Sequence, residues 1–255
     1  MSCLKTCLVF CLAVVLAGTT PALAQTEIDL ELVLLADATG SIDDAEIRFQ
    51  RQGYAEAITS KEVLQAIDSG FLGAIAVTYV EWGDFTSQDI VVGWTRIDGA
   101  QSAEDFAARL MQAPRRAFGR NAIGSALLFG KRLIETNAYT ARRRVIDLSA
   151  DSANNWNGPD ISTARAEVLA AGITINGLAI LCRHCSGRPV SYDLEAAFAD
   201  RIIGGPGAFL VTAENADNFA AAVRRKLVLE IGGLPHASRF AGRRTLQPNR
   251  DPQFP

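Results

Sequence analysis

With 255 residues and 25 basic against 28 acidic side chains, the chain has a formal charge of −3, which gives no electrostatic footprint for binding nucleic acid. The length suits one domain with a full hydrophobic core, and 49% of the residues are hydrophobic.

The first two dozen residues read as export grammar. Lys5 precedes an unbroken apolar run from Cys7 to Ala17, and Gly18-Thr19-Thr20-Pro21 then leads into Ala22-Leu23-Ala24, a small-x-small cleavage pattern. The run is too short to span a bilayer. The expectation is a signal peptide over 1–24, no lipidated cysteine at the cleavage point, and a mature chain beginning at Gln25 in the periplasm or outside the cell. That mature chain carries 24 basic and 28 acidic side chains, a charge of −4, and keeps only Cys182 and Cys185.

Downstream, strand and helix signals alternate. Leu30–Ala36 is a nearly continuous apolar run ending at Asp37, as in a central parallel strand buried on both faces. Apolar residues at helical spacing follow over 43–58. Ala74–Trp82 and Asp89–Trp94 are two more strands, joined by so short a segment (83–88) that a hairpin, and hence one antiparallel edge, is expected. Helices are predicted over 103–111 and 122–136, the second begun from the loop Phe118-Gly119-Arg120-Asn121. A strand at 145–149 ends just before Asp151, and Arg142-Arg143-Arg144 ahead of it reads as a solvated charge run. Then come a helix (162–171), a strand (173–181), a helix (194–202), a strand (208–212) and a helix (217–229). The sum is an α/β fold: a doubly wound, mostly parallel six-stranded sheet with one antiparallel edge strand and helices on both faces. The domain is expected over 25–233, with 234–255 as a disordered tail rich in Pro, Arg, Gln and Asn.

Cys182-Arg183-His184-Cys185 is expected to close as a disulfide in an oxidising compartment. A redox motif would sit at a helix N-terminus, whereas Ser186-Gly187-Arg188-Pro189 breaks helices. Zinc would want four ligands where this segment supplies at most three.

Three distant segments place small oxygen-bearing residues near the carboxyl ends of strands, where doubly wound sheets open their functional crevice. They are Asp37-Ala38-Thr39-Gly40-Ser41, Gly119-Arg120-Asn121-Ala122-Ile123-Gly124 and Ser149-Ala150-Asp151-Ser152. Taken singly, each has a plainer reading: Ser41 and Asp44 as a capping box, Asn121 as a helix cap, Asp151 as a loop aspartate. Taken together, two carboxylates, two hydroxyls and an amide suit a hard cation such as Mg²⁺, or Mn²⁺ or Ca²⁺.

The segment Asp37-x-Thr39-x-Ser41 resembles the metal-ion-dependent adhesion site of von Willebrand factor A domains, which reads Asp-x-Ser-x-Ser after the first strand. The second loop resembles that family's Thr-x-x-Gly helix start, with Asn121 in place of Thr, and Asp151 falls where the family carries an aspartate after its fourth strand. The resemblance covers roughly 31–229. More narrowly, the chain resembles exported bacterial A-domain-like proteins sharing Tyr79-Val80-Glu81-Trp82 and Ile203-Gly204-Gly205-Pro206-Gly207-Ala208-Phe209. The resemblance implies metal ligation by Thr39 and Ser41 directly, by Asp37 and Asp151 directly or through water, and a partner protein or peptide whose acidic residue completes the shell. Exchange of Thr for Asn121 puts the strength of metal binding in question.

The three loops hold no His, Cys or Lys to act as base or nucleophile, so binding is expected rather than catalysis. The alternatives are a Mg²⁺-dependent phosphohydrolase of haloacid dehalogenase type, using Asp37, Ser149, Lys131 and Asp151, and a metal-free structural or assembly factor on the same fold. The first lacks the second aspartate its chemistry needs, because Thr39 stands there. Trp82, Trp94 and Trp156 read as core or rim residues, Trp156 as a possible border of a binding surface.

Overall fold

Burial on both faces makes Thr26–Asp37 (β1) the centre of the molecule: every side chain from Leu30 to Thr39 is buried. The computed structural model describes residues 25–181, 191–214 and 216–233. The expected signal peptide, the Cys182–Cys185 pair and the segment from 234 on lie outside the described residues.

On one side β1 pairs in parallel with β2 (Ile75–Trp82), which carries the antiparallel edge strand β3 (Gln88–Ile97). On the other it pairs in parallel with β4 (Tyr139–Ala150), followed by β5 (Thr174–Ile180) and β6 (Leu210–Ala213). The sheet order is β3-β2-β1-β4-β5-β6, with β1 and β4 adjacent at its centre. The expected six strands and single antiparallel edge are all present.

Helices cover both faces. One core cluster packs Leu30, Leu32 and Leu34 against α1 (Asp44–Ile58), α2 (Lys61–Asp68), α3 (Ala100–Gln112) and α7 (Ala216–Gly232). The other packs Val33, Leu35 and Ile146 against α4 (Ile123–Glu135), α5 (Ile161–Ala170) and α6 (Leu194–Arg201). Alternation along β1 sends successive side chains to opposite clusters, as period-two geometry requires.

Three readings are corrected. Helix α2 was not expected; Ser60 caps it by accepting from Val63 N–H, and its apolar Val63 and Ile67 are buried. The arginine run is not a solvated strand entrance, since β4 begins at Tyr139. Arg143 Nη1 donates to Ile231 O at 2.8 Å and Arg144 Nη2 to Ala171 O at 2.6 Å, so both guanidinium groups satisfy carbonyls at the C-terminal ends of helices. The N-cap of α1 is Asp43 rather than Ser41, in a reciprocal capping box with Glu46, which leaves the Ser41 hydroxyl outside the helix.

Candidate metal centre

Because β1 and β4 are neighbours and run parallel, Asp37 and Asp151 leave the sheet side by side. Asp37 is fully buried, and its Oδ1 accepts the Thr39 N–H at 2.8 Å, which folds the loop back over the end of β1. Thr39 Oγ1 lies 3.2 Å from Ser41 Oγ, and Ser41 Oγ donates to Asp151 Oδ2 at 3.0 Å across the chain. Four of the five residues expected at the site therefore form one hydrogen-bonded group. Asn121 joins its edge, donating from Nδ2 to Ser152 Oγ at 3.0 Å. It is not a helix cap: the N-cap of α4 is Ala122, and the Gly124 N–H is taken by Asn155 Oδ1.

The electrostatics of this group are unbalanced. Burial, with the charge of Asp151 added, pushes the Asp37 carboxyl up to about 8 from 3.8. No Lys or Arg forms an ion pair with Asp37 among the described residues, and Asp37 Oδ2 is buried there without a hydrogen-bond partner. Two carboxylates and two hydroxyls are hard oxygen donors, the chemistry that Mg²⁺, Mn²⁺ and Ca²⁺ prefer. No cluster of three or more His, Cys, Asp or Glu suited to a metal occurs among the described residues; here hydroxyls stand where further carboxylates would be.

The backbone of the rim is tied together by hydrogen bonds between loops. Gly40 N donates to Gly119 O at 2.7 Å, tying the first loop to the second. Gly119 has φ of 108°, a conformation that side chains disfavour, and a Cβ there would stand 2.6 Å from Asp84 Cβ. Asp84 N donates to Phe118 O, Asn157 Nδ2 donates to Asp84 Oδ1, and Trp156 N donates to Asn121 O. Arg115 reaches under the loop after β1, donating from Nη2 to Ala38 O at 2.9 Å and from Nη1 to Asp44 Oδ1 at 2.9 Å.

Two buried polar systems behind the rim were not expected from sequence. Arg51 of α1 grips Glu81 of β2 with Nε–Oε1 at 2.7 Å and Nη2–Oε2 at 2.9 Å, and also donates to Ala113 O and Pro114 O at the start of the Arg115 loop. Gln50 beside it donates to Asp37 O at 3.2 Å. Farther from the rim, Lys226 of α7 sits between Asp147 of β4 and Glu230, with Nζ–O distances of 2.5 Å to each. Asn176 Nδ2 donates to Glu230 Oε1 at 3.1 Å while its Oδ1 accepts the Phe209 N–H, anchoring the backbone just ahead of β6. The signal for both systems was a lone carboxylate beside apolar residues, Glu81 between Val80 and Trp82 in β2 and Asp147 between Ile146 and Leu148 in β4, since a charge buried there needs a partner.

Of the residues of the phosphohydrolase alternative, Asp37 and Asp151 stand together while Lys131 and Ser149 are engaged elsewhere. Lys131 pairs with Glu135 one turn along α4, and Ser149 Oγ is buried and directed at Leu35 O within the sheet.

A family model described as "Protein of unknown function (DUF1194)" matches residues 27–235, most of the chain. The chain belongs to this family. Among solved structures, this DUF1194 protein is similar to the PilB minor pilin from Streptococcus sanguinis (TM-score 0.60, 15% identity, 86% of this chain and 64% of that one). It is also similar to proximal thread matrix protein 1 from the mussel byssus (TM-score 0.57, 14% identity, 81% and 49%). A third is a von Willebrand factor type A protein from Catenulispora acidiphila (TM-score 0.54, 15% identity, 80% and 43%). The DUF1194 chain thus spans about half the length of the mussel protein, which has also been seen with a zinc-occupied MIDAS motif. At such identities the likeness is one of fold, and the fold is that of a von Willebrand factor A-like domain. No curated protein matches in sequence. Among the described residues no helix is long and apolar enough to cross a membrane.

Proposed function

We propose that this DUF1194 protein is an exported binding module that uses a divalent cation to hold an acidic side chain of a protein or peptide partner. Asp37, Thr39, Ser41 and Asp151 would hold the cation, with Asn121 at the margin of the set. Mg²⁺ is favoured by the oxygen-only donors, with Mn²⁺ or Ca²⁺ as substitutes. When bound, the cation supplies a positive charge in a partly desolvated cleft, where a partner's carboxylate is attracted far more strongly than in water. The chain's own residues orient the donors and provide no base or nucleophile at that point, so the reading is recognition rather than turnover. The leader-like pattern over 1–24 supports export to the periplasm or beyond.

One observation carries the reading: two loops 110 residues apart bring Ser41 Oγ within 3.0 Å of Asp151 Oδ2 and 3.2 Å of Thr39 Oγ1, beside a buried Asp37 whose Oδ2 has no hydrogen-bond partner among the described residues.

The test is thermal unfolding of the mature protein in chelator and in Mg²⁺ or Mn²⁺. A cation at about 100 times its Kd adds about 2.7 kcal/mol, a rise of roughly 5–11 °C for a domain of this size. The rise should vanish in Asp37→Ala, compared with and without cation in the same variant. A wild-type protein indifferent to all three cations, or a variant that keeps the shift, contradicts the proposal.

A further inference from the structure

Around the Asp37–Asp151 group, three loops lift aromatic rings into solvent. Phe85 follows β2, Phe118 precedes α4 and Trp156 follows β4; they are 53%, 53% and 64% exposed. Exposed rings on separate loops would be unremarkable singly, but these loops are fastened to one another through Asp84, Phe118, Asn157, Asn121 and Trp156, as described above, so the rings stand on one stiff platform. Arginines are interleaved with them: Arg115 lies over the Phe118 ring at 4.6 Å and Arg120 over Trp156 at 5.9 Å. Arg116, which lies between Arg115 and Phe118 in sequence, is exposed. Neither Arg116 nor Arg120 forms an ion pair among the described residues. The acidic groups nearby are occupied: Asp43 by the α1 cap, Asp44 by Arg115, Asp84 by Asn157 and the Phe85 N–H.

We infer that this platform selects the partner of the cation site, and that the partner is a protein segment carrying two acidic residues flanking an aromatic or aliphatic one. This rests on the cation-module reading for one carboxylate only. The second carboxylate pairs with the guanidinium groups of Arg116 and Arg120, and the apolar side chain is covered by Phe118 and Trp156. Aromatic and arginine anchors in the centre of an interface are where binding energy concentrates. Unspent positive charge beside bare rings makes an acidic, apolar segment the complementary surface rather than a neutral glycan, which would leave the arginines unpaired.

The experiment pans the mature protein against a displayed library of random dodecapeptides in Mg²⁺, then measures affinities of the enriched peptides by fluorescence anisotropy. Enriched sequences should combine Asp or Glu with Trp, Phe or Leu. Phe118→Ser, Trp156→Ser and Arg116→Ala/Arg120→Ala, all at exposed positions, should each weaken them about tenfold or more, while leaving the cation-induced rise in melting temperature intact. Peptides that lose binding in chelator yet ignore the four platform residues leave the cation site standing and overturn the platform. Peptides that need the platform but not the cation support the platform and count against the cation reading alone. Enrichment of non-acidic sequences, no enrichment at all, or retention on a neutral glycan column sensitive to Trp156→Ser, overturns the inference.

Discussion

Replacing Lys226 by methionine keeps most of the side chain's length and removes the cation held between two buried carboxylates. Asp147, Lys226 and Glu230 are each at most 1% exposed, so water cannot take over the role of the ammonium. Burial pushes the Glu230 carboxyl up to about 7, with the charge of Asp147 adding to the rise, and it raises Asp147 as well. At pH 7 the folded Lys226→Met chain, in which burial already favours a protonated Glu230, avoids an uncompensated buried charge only by protonating Asp147 as well. Starting from the ordinary value of 3.8, that costs about 1.4 kcal/mol per pH unit, roughly 4 kcal/mol in all. This agrees with the cost of about 3–5 kcal/mol for breaking a buried pair from one side. At pH 5 the same neutralisation costs roughly 2 kcal/mol. Urea denaturation followed by circular dichroism should therefore show a loss of roughly 4 kcal/mol at pH 7 that shrinks by more than half at pH 5. Adding Asp147→Asn should recover much of the loss, because an amide needs no proton. A loss below about 1 kcal/mol at pH 7, or one that does not shrink on acidification, would refute the assignment of the ammonium as the counter-charge.

The wild-type chain should also respond to pH through Glu230. Its folded carboxyl holds a proton up to about 7 while the unfolded one releases it near 4.5, so the stabilisation is complete below 4.5 and is lost as pH rises to about 7. The difference between wild type and Glu230→Gln across that window, measured by denaturation in chelator, should approach roughly 3 kcal/mol, and parallel curves would contradict it. Arg51→Met leaves Glu81 buried without its bidentate partner and frees Ala113 and Pro114; a loss of about 3–5 kcal/mol in the same assay is expected, with a smaller cation-induced rise in melting temperature. Gly119→Ala forces a side chain into a positive-φ position against Asp84 and should cost about 1–3 kcal/mol, whereas an equally stable variant would show that the loop accommodates a Cβ.

The order of strands could be read because each leaves a local mark: β1 is apolar throughout, and the short link between β2 and β3 admits only a hairpin. Convergence of the first and third loops followed from topology, since the parallel neighbours β1 and β4 end at the same edge of the sheet. What sequence could not supply was long-range pairing of charge. Nothing local joins Arg51 to Glu81 or Asp147 to Lys226, and an arginine run looks the same whether its guanidinium groups face water or helix carbonyls. Helix α2 was missed for a different reason. It is eight residues long and follows α1 after Thr59 and Ser60, too short for its two buried apolar positions, Val63 and Ile67, to show a helical period of their own.

The capping box of α1 bears directly on the site. If Ser41 capped the helix, its hydroxyl would be spent on backbone N–H groups, and the sequence would have a sufficient explanation without any ligand. Asp43 and Glu46 perform that role between themselves, and Ser41 instead spans 110 residues of chain to reach Asp151. Asn121 is released in the same way, because Asn155 serves the start of α4. Arg51, Gln50 and Arg115 meanwhile hold the surrounding backbone from behind. A buried Asp37 oxygen without a hydrogen-bond partner among the described residues is costly, and the hydrogen bonds around it fix the backbone of the rim. If the proposed cation binds there it stabilises the fold, so the difference between chelated and cation-loaded protein, and its loss in Asp37→Ala, separates a working site from a vestige.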